Sequence, residues 1–123
     1  MASSRQIRMD ALYKRKVIAT LERRVIYTAL ALLGQVKVLT PVKTGRARSN
    51  WHLDIGAPTF VIVEAKGDLI ADVTDYKIDK TIFVSNNLPY IQRLEDGWSQ
   101  QAPSGFVIDA IAYAKSRASR AGI

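Results

Sequence analysis

The stretch Thr40-Pro41-Val42-Lys43-Thr44-Gly45-Arg46-Ala47-Arg48-Ser49-Asn50-Trp51 divides the chain. Before it, apolar residues recur with the period of a helix; after it, with the period of a strand. Pro41 has no amide donor and disfavours helical geometry at the residue before it, so the preceding helix ends at Leu39 or Thr40. Gly45 can take the positive φ of a sharp reversal, and the hydroxyls of Thr40 and Thr44 can bond neighbouring amides. Arg46 and Arg48 then alternate with Ala47 and Ser49 into Trp51. Two readings stand for this segment: a helix stop, turn and strand start, or a loop that presents Arg46 and Arg48 to a partner.

Working back from the turn, Ile18, Leu21, Val25, Thr28, Leu32 and Leu39 recur at helical spacing, with Ile26, Leu30 and Leu33 as a second stripe beside them. The pattern predicts a helix from Asp10 to the turn, reaching about 40 Å. That is long for one small domain and predicts packing against another subunit. Gly34 lowers helix propensity by about 1 kcal/mol relative to Ala, and close approach of another backbone would explain it. Residues 1–9 are polar and basic and read as a flexible or partner-binding arm.

Working forward, Trp51, Leu53 and Ile55 alternate with His52 and Asp54, a half-buried strand ended by Gly56-Ala57-Pro58. The alternation turns His52 towards solvent or a neighbour. Residues 59–65 read as a strand or an extended linker, and residues 67–76 as a short helix. Lys80 to Ser85 is the best strand by propensity, closed by Asn86-Asn87. Pro89 opens a short helix, Tyr90 to Glu95, stopped by Gly97. A polar loop leads to an amphipathic helix from Phe106 to Ser119, with Phe106, Val107, Ile111 and Ala114 on one face. The whole predicts a single α+β domain over residues 1–123: a long N-terminal helix, a small mainly antiparallel sheet, short helices and a C-terminal helix.

Composition narrows the function. Nearly half of the 123 residues are hydrophobic, which excludes a disordered chain. There is no cysteine, hence no disulfide framework or thiolate metal site. No apolar run approaches the roughly 18 residues of a membrane span, and no apolar core follows the basic start as in a secretion signal. The net charge of +7 is uneven: residues 1–48 carry eleven Lys/Arg against Asp10 and Glu22, whereas residues 49–123 carry seven against nine carboxylates. A basic front and a mildly acidic back suit head-to-tail stacking or contact with a polyanion.

The residues offer little chemistry. His52 is the only histidine, too few for a three-ligand zinc site without cysteine. No GxSxG elbow, phosphate-binding glycine loop or EF-hand is present. Glu95-Asp96 suit a salt bridge better than proton sharing or a divalent ion. The reading is of a protein that is not an enzyme and needs no cofactor or metal. Arg5, Arg8, Lys14, Arg15, Lys16, Arg23 and Arg24 could neutralise phosphates, but no helix-turn-helix, zinc-finger or RNA-recognition pattern accompanies them. A small basic protein that binds nucleic acid without sequence preference is therefore the alternative function.

Two stretches together carry a resemblance. One is the Thr40–Trp51 turn. The other is Ser85-Asn86-Asn87-Leu88-Pro89-Tyr90 running through Arg93-Leu94-Glu95-Asp96-Gly97-Trp98-Ser99 to Gln101-Ala102-Pro103-Ser104-Gly105. In order and spacing they resemble the tail-component and neck family of tailed bacteriophages, which includes head–tail joining and tail-completion proteins. Lys43 stands where an acidic residue is common in that family, and the last helix lacks the family's methionine-rich start.

The resemblance implies a virion structural protein, assembled in the bacterial host cytoplasm. It implies a sixfold or twelvefold ring of identical subunits in the neck or at the tail end, around the DNA channel. Its partners would be neighbouring neck, portal-adaptor or tail proteins, with weak contact to genomic DNA and no membrane. The strand after the turn and the strand before Asn86 come together in one sheet. The residues carrying structure or interface are then Thr40, Pro41, Thr44, Gly45, Arg46, Arg48, Trp51, Asn86, Pro89, Tyr90, Leu94, Glu95, Gly97 and Trp98. Tyr90, Leu94 and Trp98 are expected to pack on the sheet near Trp51, and Glu95 to pair with Arg46 or Arg48, within a subunit or across the ring.

Overall fold

The computed structural model describes residues 3–40, 46–62, 71–96 and 105–121, with Leu94 described by its backbone alone. Its elements are α1 (Ser4–Leu39), α2 (Arg46–Ser49), β1 (Trp51–Ile55), β2 (Ile82–Asn86), α3 (Ile91–Glu95) and α4 (Phe106–Arg120). β1 and β2 pair antiparallel, with Trp51 opposite Asn86, Leu53 opposite Val84 and Ile55 opposite Ile82. The fold is α+β: the C-terminal third of α1 and the length of α4 pack together against one face of this hairpin-like pair.

α1 begins six residues earlier than its apolar period predicts. Ser3 is extended and its hydroxyl accepts the amide of Gln6 at 3.2 Å, which caps the first turn. Residues 4–9, read as an arm, are therefore helical, and α1 has 36 residues, about 54 Å of rod. Its other end falls where Pro41 demands: Thr40 has φ −68° and ψ 131°, and its amide still bonds the carbonyl of Val36.

The core forms where α1, α4 and β1 meet. Leu33, Val36, Trp51, Phe106 and Ala110 make one buried cluster, edged by Leu32, Leu39, Leu53, Val84, Ile91 and Val107. α4 buries Phe106, Ala110, Ala114 and Ala118, one residue per helical turn. Three alanines in that row let α1 and α4 approach closely. The row differs from the sequence reading at Ile111, which lies a quarter-turn away and stays exposed.

Other departures have local causes. Arg46–Ser49 is a turn of helix rather than the start of β1, closed by the Asn50 amide on the Ala47 carbonyl (3.3 Å) and the Asn50 side chain on the Arg46 carbonyl (2.8 Å). Residues 71–76 are not helical; Asp72 instead accepts the amide (3.0 Å) and hydroxyl (2.7 Å) of Thr74, a local turn that competes with helix. The rest of that expected helix lies outside the described residues, as do residues 63–65 of the stretch 59–65, whose described part, residues 59–62, is neither helix nor strand. Gly34 is exposed, and nothing among the described residues stands within 4 Å of where its Cβ would be, so no described backbone approaches it closely.

His52 is buried rather than facing solvent. Asp54, on the same side of β1, accepts the amide and hydroxyl of Thr59 at 3.0 and 2.7 Å, and Asn87 donates to the Thr59 carbonyl, drawing the segment after Gly56 across that side. His52 Nε2 and the Oγ of Ser85 opposite it have no hydrogen-bond partner among the described residues.

Candidate assembly site

The two stretches that carry the resemblance meet in space. Trp51 is 5 % exposed, and its indole N–H donates to Thr40 Oγ1 at 2.8 Å. Thr40 Oγ1 in turn donates to the Val36 carbonyl. One hydroxyl thus joins the end of α1 to the start of β1. Asn86 reaches back from the second stretch: its side-chain amide donates to the Ala47 carbonyl at 2.8 Å, and its oxygen accepts the Leu88 amide at 3.1 Å. Leu88 is buried directly after it.

Arg48 is spent inside the subunit. Its guanidinium donates to the carbonyls of Val38 (3.2 Å) and Thr40 (3.4 Å) at the C-terminus of α1. A cation there satisfies carbonyls the helix leaves open and suits its dipole. This favours the first reading of the turn for Arg48; Arg46 is half-buried in α2.

Glu95 also finds a partner within the chain. Its carboxylate accepts the Val107 amide at 3.1 Å and its carbonyl the Gly105 amide at 2.7 Å. Gly105 sits at φ 80° and offers α4 no side-chain cap. Glu95 supplies the cap from α3, where a negative charge also favours the helix dipole. Within the subunit, then, Arg48 and Glu95 cap different helices instead of pairing. Glu95→Ala is expected to lower stability by about 1 kcal/mol, with Glu95→Gln losing less than half of that because an acceptor remains. Urea unfolding of the two variants checks this; equal losses would mean that the amide bond to Val107 is not the contribution at stake.

Around Trp51 the neighbour from the third helix is Ile91; Tyr90 is half-buried outside that cluster and Pro89 is exposed. Pro41, Thr44, Gly45, Gly97, Trp98 and the side chain of Leu94 lie outside the described residues. Arg5, Arg8, Lys14, Arg15, Arg23 and Arg24 all stand exposed on α1.

The sequence reading missed how far the surface of α1 stays bare. Ile7, Ala11, Ile18 and Val25 lie within about 40° of the line through buried Ala29 and Val36. That face enters the core from residue 29 onward and is open before it: Ile7 is 59 % exposed, Ile18 42 % and Val25 36 %. The open stripe runs into a groove of about 580 Å³ lined by Val25, Ala29 and Leu32 of α1, by Ile82 and Val84 of β2, and by Tyr76, with Arg24 and Lys80 also contributing. Burial raises the pKa of the Tyr76 phenol above its ordinary value, helped by the charges of Glu22 and Asp79.

Among the described residues no three His, Cys, Asp or Glu side chains gather as metal ligands, and no helix is long and apolar enough to cross a membrane. No protein-family model, curated protein or solved structure matches the chain.

Proposed function

We propose that this chain is a structural protein of a bacteriophage virion, forming a ring in the neck or at the tail end that joins head and tail around the DNA channel. The observation that carries this reading is the apolar stripe on α1. Isolated apolar side chains on a surface are ordinary, but Ile7, Ile18 and Val25, exposed on the same line that enters the core, mark a surface that another protein covers. A ring needs heterologous contacts between unlike faces of identical subunits. The projecting stripe supplies one such face, and the groove at its inner end, together with exposed Ile108, Ile111 and Tyr113 on α4, offers apolar surface for the other. The resemblance carried by the Thr40–Trp51 and Ser85–Gly105 stretches supplies the setting. A free nucleic-acid-binding protein would account for the cations of α1 but would leave the stripe in water.

In this reading the work is mechanical. The clamp of Thr40, Trp51 and Asn86 fixes the angle at which α1 leaves the domain, and α1 carries the contact outward. An early stop codon in this gene of the phage is expected to give DNA-filled heads beside unattached tails in electron micrographs of lysates. Morphologically normal, infectious particles would overturn the proposal.

A further inference from the structure

The bare part of α1 also segregates its charges. At 3.6 residues per turn, Arg5, Arg8, Arg15, Lys16 and Arg23 fall within an arc of about 100°. All five are exposed. Asp10 and Glu22, the carboxylates of this stretch, lie outside the arc, and so do Lys14, which sits beside the apolar line, and Arg24, which borders the groove. The centre of the arc is about 120° around the helix from the apolar stripe. The rod therefore carries a cationic arc beside the apolar line, with exposed Leu12 inside the arc and exposed Met9 and Tyr13 beyond its far edge.

We propose that the cationic face of α1 binds the phosphate backbone of double-helical nucleic acid. From Arg5 to Arg23 the row spans about 27 Å, the length of about eight base pairs at 3.4 Å each. A straight helical row of point charges matches a straight polyanion, whereas an acidic patch on a globular partner would meet only part of it. Arginine and lysine can reach guanine edges as well as phosphates, but no groove-reading motif accompanies this row, so binding follows charge and not sequence. A membrane surface fits less well: the exposed apolar side chains of this stretch, Ile7, Met9, Leu12, Tyr13 and Ile18 among them, are spread around the helix instead of forming one broad face, with no Trp or Phe to enter lipid. The inference goes beyond the ring reading and stands without it; in a ring, this is the face that would be turned to the channel.

The test uses the full chain and a labelled DNA duplex of about 30 base pairs, titrated between about 50 and 200 mM salt. The wild type is expected to bind with a slope of log K against log salt of about −3 to −4.5, as five cations allow. Arg5→Gln/Arg15→Gln/Lys16→Gln/Arg23→Gln should weaken binding at least about 30-fold and bring the slope near −1. Lys14→Gln/Arg24→Gln/Lys77→Gln/Lys80→Gln, with the same net charge, should stay within about threefold of wild type. Gln is a good helix former; circular dichroism confirms the helix, and Arg15→Gln/Lys16→Gln replaces the fourfold variant if helix is lost. Sedimentation of the same variants reads assembly separately, so loss of DNA binding with intact assembly is the expected pattern. Equal weakening of both fourfold variants, no duplex binding at the lowest salt, or preference for anionic vesicles over duplex would overturn the proposal.

Discussion

Trp51→Ala is expected to lower the free energy of unfolding by about 4 kcal/mol, among the largest losses for a truncation in this core. The indole lies in the buried cluster with Leu33, Val36, Phe106 and Ala110, so its removal leaves a cavity at the junction of α1, α4 and the sheet. The loss also breaks the N–H bond to Thr40 Oγ1, in a site that water does not reach. Trp51→Phe separates the two contributions: it keeps most of the ring volume and gives up the donor, for which about 1 kcal/mol is expected beyond the smaller volume change. A domain of this size has on the order of 5–15 kcal/mol in total, so Trp51→Ala leaves it marginal. Denaturant midpoints at unchanged m-value are the measurement. A loss below about 1 kcal/mol for the alanine variant would show that the clamp is not what fixes α1 to the sheet.

Ile18→Glu combined with Val25→Glu is expected to abolish assembly while leaving the isolated subunit folded. Both side chains are exposed in the single chain, so each change should move subunit stability by no more than about 0.5 kcal/mol. Glu keeps good helix propensity. In an assembly that covers the stripe, burying what stays exposed, 42 % of Ile18 and 36 % of Val25, would contribute about 0.5–1 kcal/mol each, and the introduced carboxylates would have to be desolvated. At 1.4 kcal/mol per tenfold, association should weaken by at least about a hundredfold. Sedimentation velocity over a range of concentrations, with thermal unfolding of the subunit beside it, reads both halves of the prediction. Assembly at wild-type concentration would move the interface off α1.

Much of the architecture was legible because it depends on short-range chemistry. Pro41 ends α1 where a proline must, the alternation of Trp51, Leu53 and Ile55 gives β1, and the β-branched run before Asn86 gives β2. What was not legible is what depends on side chains reaching across the chain. The Asn86 bond to Ala47 spans 39 residues, and no periodicity marks it. Glu95 caps a helix that begins eleven residues later, so local capping rules did not find it. One missed feature did have a signal: Ser3-Ser4-Arg5-Gln6 has the S-x-x-Q form of a capping box, but the apolar period that anchored the helix begins well after it. The bare stripe escaped for a different reason. Periodicity says which face of a helix is apolar, and only the fold says how much of that face the chain itself covers.

The reach of α1 bears on the timing of assembly. Its C-terminal third is fastened by the core, whereas its first twenty or so residues are held by helical hydrogen bonds, the Ser3 cap and little else. A helical segment of that length without packing is only marginally stable in water, so in the free subunit it frays from the amino end and opens far more readily than the core. A stripe displayed on a fraying helix is displayed part of the time. Two free subunits meeting at low concentration must each meet with the helix wound, which slows premature clumping of a sticky surface. A partner already fixed in place winds the helix as it binds. If the stripe is the ring interface proposed above, the bare end of α1 acts as a delay, favouring growth on an existing assembly over premature clumping.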